Sequence, residues 1–138
     1  MPSTPITLLA SAATAAGAVT ETGSAVQVPG YPSAVLLMLD VTAASTDAAD
    51  TLNVTVQTLI DGTNWVDVCA FTEVLGNGGA LRHVAKVTAS AAVTMFVNAD
   101  LAAGNIRNIL ADQYRVKYAQ ADGDSNGSFT FSVTALAM

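Results

Sequence analysis

The chain has 138 residues, which favours one domain. Five Lys and Arg against eleven Asp and Glu give a net charge of −6, too few and too scattered cations to bind nucleic acid or an anionic membrane surface well. The single cysteine, Cys69, excludes an intrachain disulfide and a thiolate metal site. Only 12% of residues are charged, about half the usual share for a soluble domain. Such a composition fits a surface that a partner covers, and equally a neutral β surface rich in Ala, Thr, Val and Ser.

The N-terminal "MPSTPITLLASAATAAGAV" has an apolar run but no positive start, since the first Lys or Arg is Arg82. A signal peptide needs that start, so this segment is expected to be retained. "PITLLAS" and "SAVQV" read as short strands. "ASAATAAGA" has no amphipathic stripe and is expected to be irregular or extended. Residues 1–30 are read either as part of the domain or as an extended arm lying on a neighbouring subunit.

Pro29, Gly30 and Pro32 then precede "AVLLMLDVTA", continuously apolar from Val35 to Leu39. A strand buried on both faces reads this way, or one whose outer face meets a partner. In the second case Leu36 and Met38 are interface candidates. "TLNVTVQTLI" alternates, with Leu52, Val54, Val56, Thr58 and Ile60 on the inward face. Asp61-Gly62 makes a tight turn into "NWVDVCAF", with Trp65 as a hairpin anchor or, alternatively, a sugar-stacking ring. "LRHVAKV" and "VTMFVN" are further strands. "ADLAAGNIRNILADQ" is interrupted by Gly104 and reads as a loop with a short strand, or as a helical turn.

"QYRVKYAQA" sends Tyr114, Val116 and Tyr118 inward and Arg115 and Lys117 outward, a modest basic face for solvent or a partner. "GSFTFSVTAL" sends Phe129, Phe131 and Val133 inward. Eight or nine short strands with turns between them predict an all-β chain: an antiparallel two-sheet β-sandwich, jelly-roll-like.

Between the last two strands lies "ADGDSNGS". Asp122, Asp124, Asn126 and Gly127 match the opening half of a hand-type calcium loop. That loop closes on a bidentate Glu at its twelfth position, which here is Val133. No metal site is therefore expected from this segment alone. A polar hairpin tip is expected instead, unless a second segment donates oxygens. Cys69 and His83 occur in no nucleophile signature, and "GNGG" lacks the Lys of a phosphate loop. No catalytic residue and no cofactor is expected.

The alternating strand, "DGTNWVDVCAF", the Gly-rich loop and the closing "ADQYRVKYAQADGDSNGSFTFSVTAL" together resemble small β-sandwich structural proteins of tailed bacteriophages. The resemblance runs from about Val35 to the end. It implies a virion structural protein, foremost a decoration (cement) protein binding the major capsid protein on the head surface as a trimer or dimer. It also admits a tail or head–tail junction protein. The residues alone leave open a calcium-dependent module for carbohydrate or a host surface.

Overall fold

Strands form where apolar side chains recur every second residue, so that one face can leave water. The computed structural model describes residues 4–30, 32–89 and 95–138. Eight strands carry the architecture: β1 (Ile6–Ala13), β2 (Val19–Thr22), β4 (Ala34–Ala43), β5 (Thr51–Leu59), β6 (Trp65–Ala70), β8 (Leu81–Thr88), β10 (Gln113–Ala121) and β11 (Thr130–Ala137). Three two-residue strands extend them: β3 (Val26–Gln27), β7 (Val74–Leu75) and β9 (Asn105–Ile106). No described residue is helical.

The sheets run β1-β11-β4-β8 and β2-β10-β5-β6-β9, with β3 beside β10 and β7 beside β5. Every pairing is antiparallel. The pairs β5·β6, β4·β8, β2·β10 and β1·β11 nest inside one another along the chain. This is a long hairpin folded over on itself, the double Greek key of a jelly roll. The expected sandwich and its jelly-roll winding are both present.

The core lies between the sheets. Leu37, Leu39 and Val41 of β4 and Phe131 and Val133 of β11 face Leu52, Val54 and Val56 of β5 and Tyr114 and Val116 of β10. Phe131 meets Tyr118 edge-on, ring centroids 5.1 Å apart. A bulge in β6 pairs Gln57 with Asp67 but Val56 with Cys69. The extra residue, Val68, lets Val68 and Cys69 both reach the core while Asp67 stays on the outer face.

Four sequence expectations need correction. Residues 4–30 do not stand off as an arm: β1 pairs with β11, β2 and β3 pair with β10, and Leu8 and Val28 are buried. Ile60 is 55% exposed, because the chain has already entered the Asp61–Asn64 turn. "VTMFVN" forms no strand over its described residues 95–98, where Met95 is 97% exposed; Val93 and Thr94 lie outside the described residues. Segment 122–129 is not a hairpin tip. It joins β10 in one sheet to β11 in the other, because consecutive strands here change sheets.

Candidate functional site

The interface candidates fall on two opposite faces. Leu36 and Met38 alternate with the buried Leu37 and Leu39, so they lie half-buried on the outside of the first sheet. Leu136 of β11 sits opposite Leu36, and Val84 of β8 opposite Met38. Val84 is 65% exposed. The result is an apolar stripe across three strands. It is edged by Lys86, opposite Leu36, and by Arg82, which bonds Asp40 at 3.2 Å.

Trp65, Arg115 and Lys117 lie on the second sheet, and their groups are engaged within the chain. The Arg115 guanidinium stacks 4.3 Å from the centre of the Trp65 ring and donates to Gln57 Oε1 at 2.8 Å. Burial lowers the Arg115 pKa from its ordinary value, and Asp67 opposes that shift. Lys117 Nζ lies 2.9 Å from Asp100 and 3.5 Å from Asp67. The Lys117 ammonium, by hydrogen bond and by charge, lowers the pKa of Asp100. Asp67 also accepts from Gln57 Nε2 at 2.8 Å and from the Leu101 N–H at 2.8 Å. A cleft of about 330 Å³ on this face is lined by Asn53, Thr55, Asp67, Asp100, Leu101 and Lys117, among others. The segment 98–101 thus lies against the sheet at Trp65 and Asp67, and buried Gln57 bonds both Asp67 and Arg115.

The "DGTNW" turn is explained locally. Asp61 Oδ1 accepts from the N–H groups of Thr63 and Asn64 at 3.0 and 2.6 Å, and Gly62 takes φ +82°. The Asn64 bonds, first of all, hold the Asp61 pKa below its ordinary value.

The loop from Asp122 is organised differently from a calcium hand. Asp122 is buried and spends both oxygens on the chain. Oδ1 accepts from the N–H of Asp124 (3.2 Å) and Ser125 (3.0 Å), and Oδ2 from the N–H of Gly127 (2.6 Å) and Gly17 (3.1 Å). Burial pushes its pKa up, but the Gly127 N–H, a side-chain bond with Asp124 and the N–H groups of Asp124 and Gly17 outweigh burial and hold it at about 2. Asn126 is exposed. Nearby, buried Gln120 donates to the carbonyls of Ala15, Gly17 and Gly127, and Thr14 donates to its Oε1.

The Asp124 carboxyl group meets both Asp122 and Asp47. One carboxylate oxygen from each of Asp47, Asp50 and Asp124 lies within 4.8 Å of the others. Asp122, local desolvation and Asp47, in that order, raise the Asp124 pKa. Asp50 is fully buried; its Oδ2 accepts from Ser45 Oγ, and its Oδ1 has no hydrogen-bond partner. Gly127 makes room for this carboxylate, since a Cβ there would lie 2.0 Å from Asp50 Oδ2. The sequence reading reached Asp122, Asp124 and Asn126 but not Asp47 or Asp50, which come from the β4–β5 loop. A polar "STDAAD" between two apolar strands marks that loop, yet nothing local says which other loop it meets.

Cys69 is buried in the core, and burial pushes its pKa up to about 12, so its thiol is not a thiolate near neutral pH. His83 lies in β8 of the opposite sheet.

Comparison of the chain with protein-family models, with curated proteins and with solved structures finds no match. No helix is long and apolar enough to cross a membrane among the described residues.

Proposed function

We propose that this chain is a virion structural protein, a decoration (cement) protein that docks on the major capsid protein of a tailed-phage head and associates as a trimer or dimer. The observation that carries this reading is the apolar stripe of Leu36, Met38, Val84 and Leu136 on the outside of the first sheet. Docking surfaces combine an apolar centre with a polar rim, and Arg82, Asp40 and Lys86 supply that rim. The resemblance of "DGTNWVDVCAF" and the closing strands to phage structural proteins points the same way. So does the low charge, which favours association over repulsion.

The second sheet is the weaker docking face. Arg115 and Lys117 already satisfy Gln57, Asp67 and Asp100, and Trp65 lies beneath Arg115 rather than open to a sugar ring. Incubating the protein with purified heads that lack it, followed by sedimentation, tests the proposal. Saturable binding to heads is the expected result. Binding to tails alone would move it to the tail, and binding to neither would overturn the reading.

A further inference from the structure

We propose that Asp47, Asp50 and Asp124 form a binding site for a hard divalent cation of the calcium class, assembled from two loops at one end of the sandwich. The site goes beyond the docking role and does not depend on it. Three carboxylates alone would not establish it, because acidic clusters are common on an acidic protein. The deciding observation is Asp50. Its side chain is fully buried, and Oδ1 meets no donor among the described residues. A buried, unpaired carboxylate oxygen is costly unless a proton or a cation satisfies it. The Lys and Arg ion pairs of the described chain go to Asp40, Asp67 and Asp100, not to this cluster.

The spacing suits calcium. Calcium–oxygen distances of about 2.3–2.6 Å place ligands on opposite sides of one ion about 4.6–5.2 Å apart. Three oxygens that all lie within 4.8 Å of one another fit around a single such ion. Asp50 supplies the buried floor, Asp47 is half-buried, and Asp124 is exposed at the mouth, where water can complete the shell.

The surroundings hold the carboxylates in place without using them up. Ser45 orients Asp50 through Oδ2, and Asp47 Oδ1 accepts the Ala49 N–H at 2.9 Å. Gly76 packs so closely that a Cβ there would lie 1.8 Å from the Asp47 carbonyl oxygen, and its N–H donates to the Asp50 carbonyl at 2.8 Å. Asp122 shapes the second loop through the N–H groups it accepts from, and the Asp124 carboxyl group stands within hydrogen-bond reach of both Asp122 and Asp47, at the edge of the cluster. The D-x-D pattern therefore splits its duties: the first Asp builds the loop and the second is a ligand.

The test uses the full chain stripped with chelator, then titrated calorimetrically with calcium chloride and, separately, magnesium chloride. One calcium per chain is expected, with Kd in the range of about 10⁻⁵–10⁻³ M, and magnesium weaker. Melting temperature should rise with calcium by mass action. Because Asp50→Asn risks misfolding, the decisive variant is Asp124→Asn at the exposed mouth. It should weaken calcium at least about tenfold while melting no lower than wild type in chelator, since one of three like charges is gone. Asp40→Asn, on the far side of the first sheet, should bind as wild type does. No heat and no melting shift up to about 10 mM calcium would overturn the site, that being beyond the weakest calcium modules. Calcium binding that Asp124→Asn leaves unchanged would overturn it equally.

Discussion

Replacing Gly127 by alanine should be among the most damaging single-methyl changes available in this chain. The added Cβ would lie 2.0 Å from Asp50 Oδ2, 3.1 Å from Asp50 Cγ and 2.6 Å from Ser45 Oγ. Asp50 is wholly buried and has nowhere to retreat without losing its bond to Ser45. Gly127 is also held from both sides, its N–H by Asp122 and its carbonyl by Gln120. Gly127 does not occupy the left-handed backbone region, so the penalty is steric and not conformational. Overpacking costs about 1–3 kcal/mol and loss of a buried bond to a charged group about 1–3 more, giving roughly 2–6 kcal/mol. For a chain of this length that is a fall in Tm of about 7–21 °C. Thermal melts in chelator, followed by circular dichroism, would measure it. Gly123→Ala in the same loop is the control, because its Cβ meets nothing within 4 Å. If Gly127→Ala and Gly123→Ala melt together within about 2 °C, the described packing of Asp50 under Gly127 is wrong.

Three further outcomes are expected. Val84→Lys on the open stripe should leave stability within about 0.5 kcal/mol of wild type yet weaken head binding more than tenfold in the sedimentation assay. Phe131→Ala should cost about 3–5 kcal/mol in urea unfolding, since the ring fills the core against Tyr118. Cys69 ionises near 9 when unfolded but only at about 12 when folded, so its neutral thiol contributes stability that falls as pH climbs from about 9 toward 12. The alkaline slope of Tm should flatten in Cys69→Ala, and native Cys69 should resist alkylation at pH 8 until the chain is unfolded.

The strands were legible because each presents one face to a core and one to water. Leu52, Val54 and Val56, then Tyr114, Val116 and Tyr118, then Phe131 and Val133 sit where period-two alternation puts them. The unbroken apolar run of β4 was legible as well, with Leu36 and Met38 on the face that another body could cover. Long-range placement was not. Gln57 alternates as a surface residue, yet it is buried, bonded to Arg115 and to Asp67, and Asp67 is in turn held by the distant Leu101 N–H. Asp122 and Asp124 look equivalent in the sequence, yet Asp122 takes the loop's backbone N–H groups, while Asp124 meets Asp122 and the β4–β5 loop. Alternation within a strand cannot say whether the next strand returns beside it or crosses over, which is why the 122–129 crossover read as a hairpin.

The nesting of strand pairs also sets a timetable for synthesis. β4 is flanked by β11 and β8, and β5 by β10 and β6, so each central strand waits for a neighbour that is made much later in the chain. β5·β6, β4·β8 and the short β5·β7 and β6·β9 pairs can form early. Until β10 and β11 emerge from the ribosome, the edges of β4 and β5 stand open, and open edges invite pairing with another chain. The contacts that close the sandwich are the most distant in sequence, which predicts slow folding. A nascent chain stalled before Gln113 would be a half-built sandwich, the species most exposed to misassembly and most in need of a chaperone.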